Sequence, residues 1–433
     1  MVVTTPFNNR SARQAVRGHT ATWTPILAAY SVYLGLALFG YLIGHDFLVV
    51  GGMLFVLTFV ITYGQYLQRT PVTPLTIGII FAGLLPLIAV ARSPATTNLA
   101  VFNFLVKHYA FFLIILISTQ LPLRPLPRCR QSRWVYGAIV AALVISLVHA
   151  RLTGGVLVDE RVSGMFANPN NLALMALCLL CFIDDASSWS FRWATHGLVI
   201  VLLLLSGTAG AIVGYAVGRG YQLIQSQRSA HGVLILCSIV AMMIVLPLAF
   251  APVLLTYPPI RSLATKIDIA VQNIPLALEG HEINYWHYEQ EAGEGTASGL
   301  WRLAHWRKTL VLYAAGSLRQ QVFGFGIGTS EMLLEKKPHN DYLRVLFELG
   351  IAGSLALAVI WGHLFWRMAP ASRWVFVAVA TYSFTENNAD NFLAMSLFAL
   401  FVVSAAMYPR LVTATHPASR VPKDGPDACH VGQ

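Results

Sequence analysis

The residues best placed to do chemistry in this sequence stand between Lys336 and Gly353, KKPHNDYLRVLFELGIAG, where two lysines, a proline and a histidine precede an apolar run. Pro338 ends the preceding loop, and Tyr342, Leu343, Leu346, Phe347 and Ile351 recur at helical spacing, which predicts a helix from Asn340 onward. His339 then stands at a helix N-terminus. The positive end of the helix dipole and the free backbone N–H groups there favour anions and disfavour an imidazolium, and Lys336 and Lys337 act in the same sense. A histidine in that setting suits the work of a general base. The plainer reading is a histidine that caps the helix or meets a lipid headgroup.

Other motifs carry less chemistry. Cys178-x-x-Cys181 has the spacing of a metal or redox pair, but it sits inside an apolar run with no second pair, which reads as helix packing. His281-Glu282 and His287 depart from the His-Glu-x-x-His zinc spacing, so no metal site is expected. Gly324-Phe325-Gly326-Ile327-Gly328 has no strand before it and is read as a turn re-entering the membrane, not a dinucleotide loop. Asn168, Asn170 and Asn171 flank Pro169 and read as the cap of a helix start, with contact to substrate an alternative that nothing in the sequence supports. Glu386 and Asp390, between the last two apolar runs, hold an arginine, orient His339, or belong to a solvated turn.

The elements that must position these residues are set by composition. With 433 residues, 56% hydrophobic and 11% charged, the chain lies far from soluble domains, where roughly 25% of residues are charged. Apolar runs near the ~20 residues that cross a bilayer occur at Pro25–Gly44, Phe47–Leu67, Pro74–Ala91, Leu99–Thr119, Trp134–Ala150, Asn171–Ile183, Gly197–Val217, Val233–Leu255, Tyr342–Trp366 and Asn391–Tyr408, with a shorter one at Trp374–Phe384. Unbroken apolar runs mean helices, not barrel strands. The first 24 residues are polar, with Arg10, Arg13 and Arg17, and do not resemble a cleaved signal.

Lysine and arginine in short loops fix orientation. Arg69, then Arg124, Arg128, Arg130 and Arg133, then Arg192 mark cytoplasmic loops. Keeping Arg219 and Arg228 inside requires the stretch from Gly197 to Ile224 to be two short helices meeting at Ser206-Gly207-Thr208-Ala209-Gly210, which puts Tyr257–Pro338 outside. The expected architecture is an all-α integral membrane protein of about 12 spans. It comprises a cytoplasmic tail (1–24), nine spans (25–255), one large outer loop (256–338), three further spans (339–408) and a cytoplasmic tail (409–433). Arg151–Asn170 is the other polar outer segment. Positive charge on that face, including Arg261, Lys266, Arg302, Lys336 and Lys337, runs against the usual bias and calls for an anionic ligand. Arg307, Lys308 and Arg319 are as well explained by lipid phosphates or the acid-rich stretch Glu279–Glu294.

His339-Asn340-Asp341-Tyr342-Leu343 followed by Glu348, Gly350 and Gly353 resembles the signature of the bacterial O-antigen ligase and polymerase superfamily. RVSGMFANPNNLA from Arg161 resembles that family's outer loop before the sixth span, SGLWRLAHW with Arg302 and Trp306 its Arg-x-x-x-Trp element, and Gly324–Gly328 its glycine turn. The family's Ser-Arg pair after the seventh hydrophobic stretch has no counterpart in Ser206-Gly207-Thr208-Ala209.

The resemblance implies a GT-C-like fold and metal-independent, inverting transfer of a glycan from undecaprenyl diphosphate to a lipid A–core sugar hydroxyl on the periplasmic face of the inner membrane. No cofactor, metal or nucleic acid is implied; the partners are the carrier-linked glycan, the lipid A–core and membrane lipids. A glycosyl diphosphate already carries a good leaving group, so a base for the acceptor hydroxyl and cations for the diphosphate suffice, unlike the two carboxylates of a glycosidase. His339 is the base. Arg161 and Arg302, with Arg261 as a third, grip the diphosphate through paired N–H groups. Asn340, Lys337 and Glu386 support them. A polymerase or a protein O-oligosaccharyltransferase of the same superfamily remains an alternative. A transporter fits less well, since the chain has no internal repeat and its charge lies in outer loops.

Overall fold

The computed structural model describes residues 23–65, 73–90, 99–121, 126–128, 131–153, 157–158, 161–166, 168–183, 187–226, 298–334 and 337–415, with isolated positions between 261 and 275. The apolar run Val233–Leu255, most of 256–297, Lys336 and both tails, apart from a few residues at their inner ends, lie outside the described residues. Among the described residues the regular structure is helical, except for one two-residue antiparallel pair, β1 (Leu157–Val158) on β2 (Arg161–Val162).

Apolar runs become helices here because a chain surrounded by lipid must satisfy its backbone within each segment. In order they are α1 (Thr24–Ile43), α2 (Leu48–Tyr63), α3 (Pro74–Val90), α4 (Leu99–Ser118), α5 (Ser132–Thr153), α6 (Pro169–Leu179), α7 (Trp189–Ser206) and α8 (Ala209–Ser226). After Ser298 come α9 (Ser298–Ala315), α10 (Leu318–Phe323), α11 (Thr329–Leu334), α12 (Asp341–Arg367), α13 (Pro370–Tyr382) and α14 (Phe392–Thr415). Among the described residues α1, α5, α7 and α12 are long and apolar enough to cross a membrane, and the apolar stretches of α2, α3, α4, α6 and α14 are shorter. The two most buried are α6 and α14, which stand at the centre of the bundle while Trp134, Leu152, Ile61 and Trp366 project from its surface.

The helix expected from Gly197 begins earlier, at Trp189, because the Ser188 hydroxyl accepts from Phe191 N (3.3 Å) and caps it. It ends at Ser206, where Gly207 turns left-handed (φ 57), so a break stands within the anticipated glycine-rich stretch. Beyond it α8 runs antiparallel to α13. A side chain at Gly210 would collide with Thr385, one at Gly214 with the Ala378 carbonyl, and one at Gly218 with the Trp374 carbonyl. This small-residue stripe lets two backbones approach as closely as membrane helices do. Gly214→Leu is therefore expected to lower thermal stability by roughly 1–3 kcal/mol, the usual scale of overpacking. Gly197→Leu, on open space, is the control, and thermal unfolding in detergent separates the two.

A second break lies inside α12, where Gly350 adopts φ 68, ψ −168. Leaving the helical path frees the carbonyls of Phe347 and Glu348, which accept from Phe325 N (2.9 Å) and Gly326 N (3.1 Å). Gly324 and Gly350 meet backbone to backbone, with no room for a Cβ on either. The glycine turn thus completes the hydrogen bonding of a broken helix.

Helix directions sort the charges to two ends of the bundle. α12, 27 residues long across its Gly350 break, carries His339 just before its start and Arg367 at its end. Arg219 lies over the Trp374 ring (5.2 Å) at the start of α13, and Arg373 over Trp366 (5.6 Å). Tyr136 meets Thr195 (3.0 Å), which brings the N-terminal ends of α5 and α7, with Arg133 and Arg192, to that same end. His339, Asn170, Thr208 and Glu386 occupy the opposite end.

Candidate functional site

Pro338 and Asn340 fix the backbone on either side of His339. The Pro338 carbonyl accepts from Trp306 Nε1 (2.6 Å), and Asn340, buried, caps α12 by accepting from Leu343 N (3.0 Å). Between them His339 takes a left-handed conformation (φ 48), a sparsely populated state for any residue but glycine, which persists where neighbours over-determine it. Asn340 is thus structural.

His339 Nδ1 lies 2.6 Å from Glu386 Oε1. A carboxylate accepts only, so Nδ1–H donates, and in the neutral imidazole Nε2 then carries the lone pair; the ring meets the Trp301 ring edge-on (5.3 Å), itself stacked on His305 (4.8 Å). The other Glu386 oxygen accepts from Arg302 Nη2 (3.1 Å) and from the Asn170 amide. Asn170 Oδ1 in turn accepts from Thr208 Oγ1 (3.2 Å) and Arg161 Nη1 (3.4 Å), and its carbonyl from the Tyr382 hydroxyl (2.9 Å). One buried carboxylate therefore gathers His339, Arg302 and, through one amide, Arg161 from three distant parts of the chain. Arg302 Nε is buried with no hydrogen-bond partner.

A second acid, Asp390, anchors the rest of the cluster. It accepts from Lys337 Nζ (3.0 Å) and Arg344 Nη1 (2.7 Å), and its carbonyl from Lys107 Nζ (3.2 Å). Arg344 also reaches Glu348 (3.5 Å), which the Ser330 hydroxyl bonds. Lys337, with Glu331 3.7 Å away as well, is already matched by carboxylates, so it serves the architecture more than an incoming anion.

Burial pushes the Glu386 carboxyl up, but the His339 hydrogen bond, the Arg302 guanidinium and the Asn387 N–H together hold it below its ordinary value. For Asp390, burial is likewise outweighed, by the charges and hydrogen bonds of Arg344 and Lys337. A folded-state value below the unfolded one gives stability that is full above the ordinary carboxylate range, about pH 4–5, and lost as pH falls through the folded values. Acidification below about pH 4 is expected to lower the melting temperature, and Glu386→Gln to flatten that acid limb. An unchanged acid slope in the variant contradicts the assignment.

A cleft of about 300 Å³ opens beside this cluster, lined by His339, Glu386, Asn168, Asn171, Asn387 and Asp390, with Glu331 and Lys337 completing it. Asn168 caps α6 by accepting from Asn170 N (2.8 Å).

Of the residues singled out from the sequence, the fold brings Arg161, Arg302, Lys337, His339, Glu386 and Asp390 together. Arg261 is exposed and does not line the cleft. Cys178 and Cys181 are buried in the packed α6 region, Cys178 Sγ reaching the Ala394 carbonyl (3.5 Å). His281, Glu282 and His287 lie outside the described residues. Sequence reasoning missed Asn170 as a hub and the parts of Thr208, Tyr382, Lys107 and Arg344. The one signal for Thr208 was its place in the Ser206–Gly210 break. No protein-family model matches this chain, and no curated protein matches it.

Proposed function

We propose that the protein is an inverting, metal-independent glycosyltransferase of the O-antigen ligase type, moving a glycan from undecaprenyl diphosphate to a sugar hydroxyl of the lipid A–core. The observation that carries this reading is the shared carboxylate: Glu386 holds His339 through one oxygen and Arg302 through the other. His339 Nε2 takes the proton from the acceptor hydroxyl as its oxygen attacks the anomeric carbon. Arg302 and Arg161 neutralise the diphosphate as it departs, the unpartnered Nε of Arg302 giving it a further donor. The broken bond is the anomeric carbon–phosphate oxygen bond. Its electrons leave with the diphosphate, and the proton rests on His339.

The bundle is the scaffold of about 12 spans expected above, with the large loop 256–338 on the periplasmic side of the inner membrane. The end bearing Arg133, Arg192, Arg219, Arg367 and Arg373 faces the cytoplasm under the lysine and arginine bias of inner loops, which puts His339 in the periplasm. Cysteines at Val162 and at Lys308, the exposed neighbour of the buried Thr309, report this directly. Both are expected to react with an impermeant thiol reagent added from the periplasm and to be slowed by carrier-linked donor, whereas labelling only from the cytoplasm contradicts the orientation.

The function is tested by incubating the purified protein with carrier-linked glycan and lipid A–core and identifying the acceptor. With arginines in place of a cation, EDTA is expected to leave transfer intact. Inactivation reversed by Mg²⁺ or Mn²⁺ overturns the metal-independent mechanism, and glycan joined to a second carrier-linked glycan identifies a polymerase instead.

A further inference from the structure

The cleft divides its polar lining in two. Its charged members pair with one another: His339 with Glu386, Lys337 with Asp390 and Glu331. Its three carboxamides do not. Asn387 is 9% exposed and its buried Oδ1 has no partner. Asn168 spends its oxygen on the α6 cap, and among the described residues neither its NH₂ nor the Asn171 side chain has a hydrogen-bond partner. A buried polar atom such as the Asn387 oxygen is rarely left idle, while Asn168 and Asn171 stand half-buried at the same cleft.

The lining also says what the cleft is not for. Arg161 and Arg302 do not line it, while Glu331, Glu386 and Asp390 do. Three carboxylates against Lys337 and His339 make a poor cradle for a diphosphate. A hydroxyl, by contrast, needs one donor and one acceptor, and a carboxamide supplies both. The volume, about 300 Å³, is at the lower end of ligand clefts, which run to ~1,000 Å³.

We propose that Asn168, Asn171 and Asn387 form the acceptor subsite, reading the hydroxyls of the sugar ring whose reactive hydroxyl lies at His339, while the donor diphosphate lies on the arginine side of Glu386. This rests on the glycosyltransferase reading above and assigns the acceptor a separate set of residues. The carboxamides set which ring is accepted and take no part in the proton transfer.

The test uses the full chain in nanodiscs, with undecaprenyl-diphosphate-linked glycan and purified lipid A–core as probes. KM for each substrate is measured in wild type, Asn171→Ala and Asn387→Leu. Asn171 is half-buried in the first turn of α6 and remains informative if the buried Asn387 variant fails to fold. The expected result is a KM for lipid A–core raised about tenfold per lost carboxamide, the scale of one hydrogen bond, with the donor KM unchanged. A lipid A–core KM unchanged in Asn171→Ala, or a rise in the donor KM instead, overturns the subsite and leaves the transferase reading standing. A wild type that transfers to no sugar acceptor removes both.

Discussion

His339→Ala is expected to lose the proposed transfer by roughly 10²–10⁴-fold, the contribution of a positioned acid–base group, while still inserting and folding. The imidazole is held by Glu386 on one nitrogen and by its own left-handed backbone, so no neighbour can substitute for Nε2. His339→Gln is expected to be no better, because an amide keeps a hydrogen bond to Glu386 but has no basic nitrogen to offer. Alanine also removes a donor from buried Glu386 and is expected to lower the melting temperature modestly, whereas glutamine keeps that donor and separates the two effects. Activity near wild type in either variant removes His339 from the mechanism.

Arg302→Ala comes next, with an expected loss of roughly 10²–10³ in turnover, as for other groups aimed at charge that develops in a transition state. Lysine keeps the charge but loses the planar fork, so Arg302→Lys falls between wild type and alanine. Alanine also removes one cation from buried Glu386, so part of the effect will appear as reduced stability, whereas lysine separates charge from geometry. The same order is expected at Arg161, with smaller effects, since its contact to Glu386 runs through Asn170. Alanine at both sites with donor binding and transfer unchanged excludes a diphosphate clamp.

What the sequence disclosed follows from what lipid demands. Helices α1 to α4 lie close to the apolar runs because a segment in hydrocarbon has no other way to satisfy its backbone. The N-terminus at His339 was legible from Pro338 and Asn340, a local signal. The start of α7 was not, since Trp189-Ser190-Phe191-Arg192-Trp193 reads as a polar loop until Ser188 is seen to cap it. Gly350 could be recognised as part of a motif, but its role as a break whose freed carbonyls are taken by Phe325 and Gly326 depends on a contact between distant segments.

The site divides the same way. Periodicity places residues on faces, so His339 and the charged outer segments stood out. It says nothing of which loop carboxylate meets which cation. Glu386 read equally as a solvated turn, yet it is buried and joins Arg302 to His339. Counting cations likewise overstated the free charge, because Lys337 and Arg344 are committed to Asp390.

Direct displacement at the anomeric carbon by a hydroxyl that His339 deprotonates, as proposed, inverts that centre. The anomeric configuration of the new linkage, read by NMR on product from purified protein, carrier-linked glycan and lipid A–core, tests it most directly. The account predicts a configuration opposite to that of the donor. A product with the donor's configuration retained excludes back-side displacement by the acceptor hydroxyl and overturns the proposed mechanism.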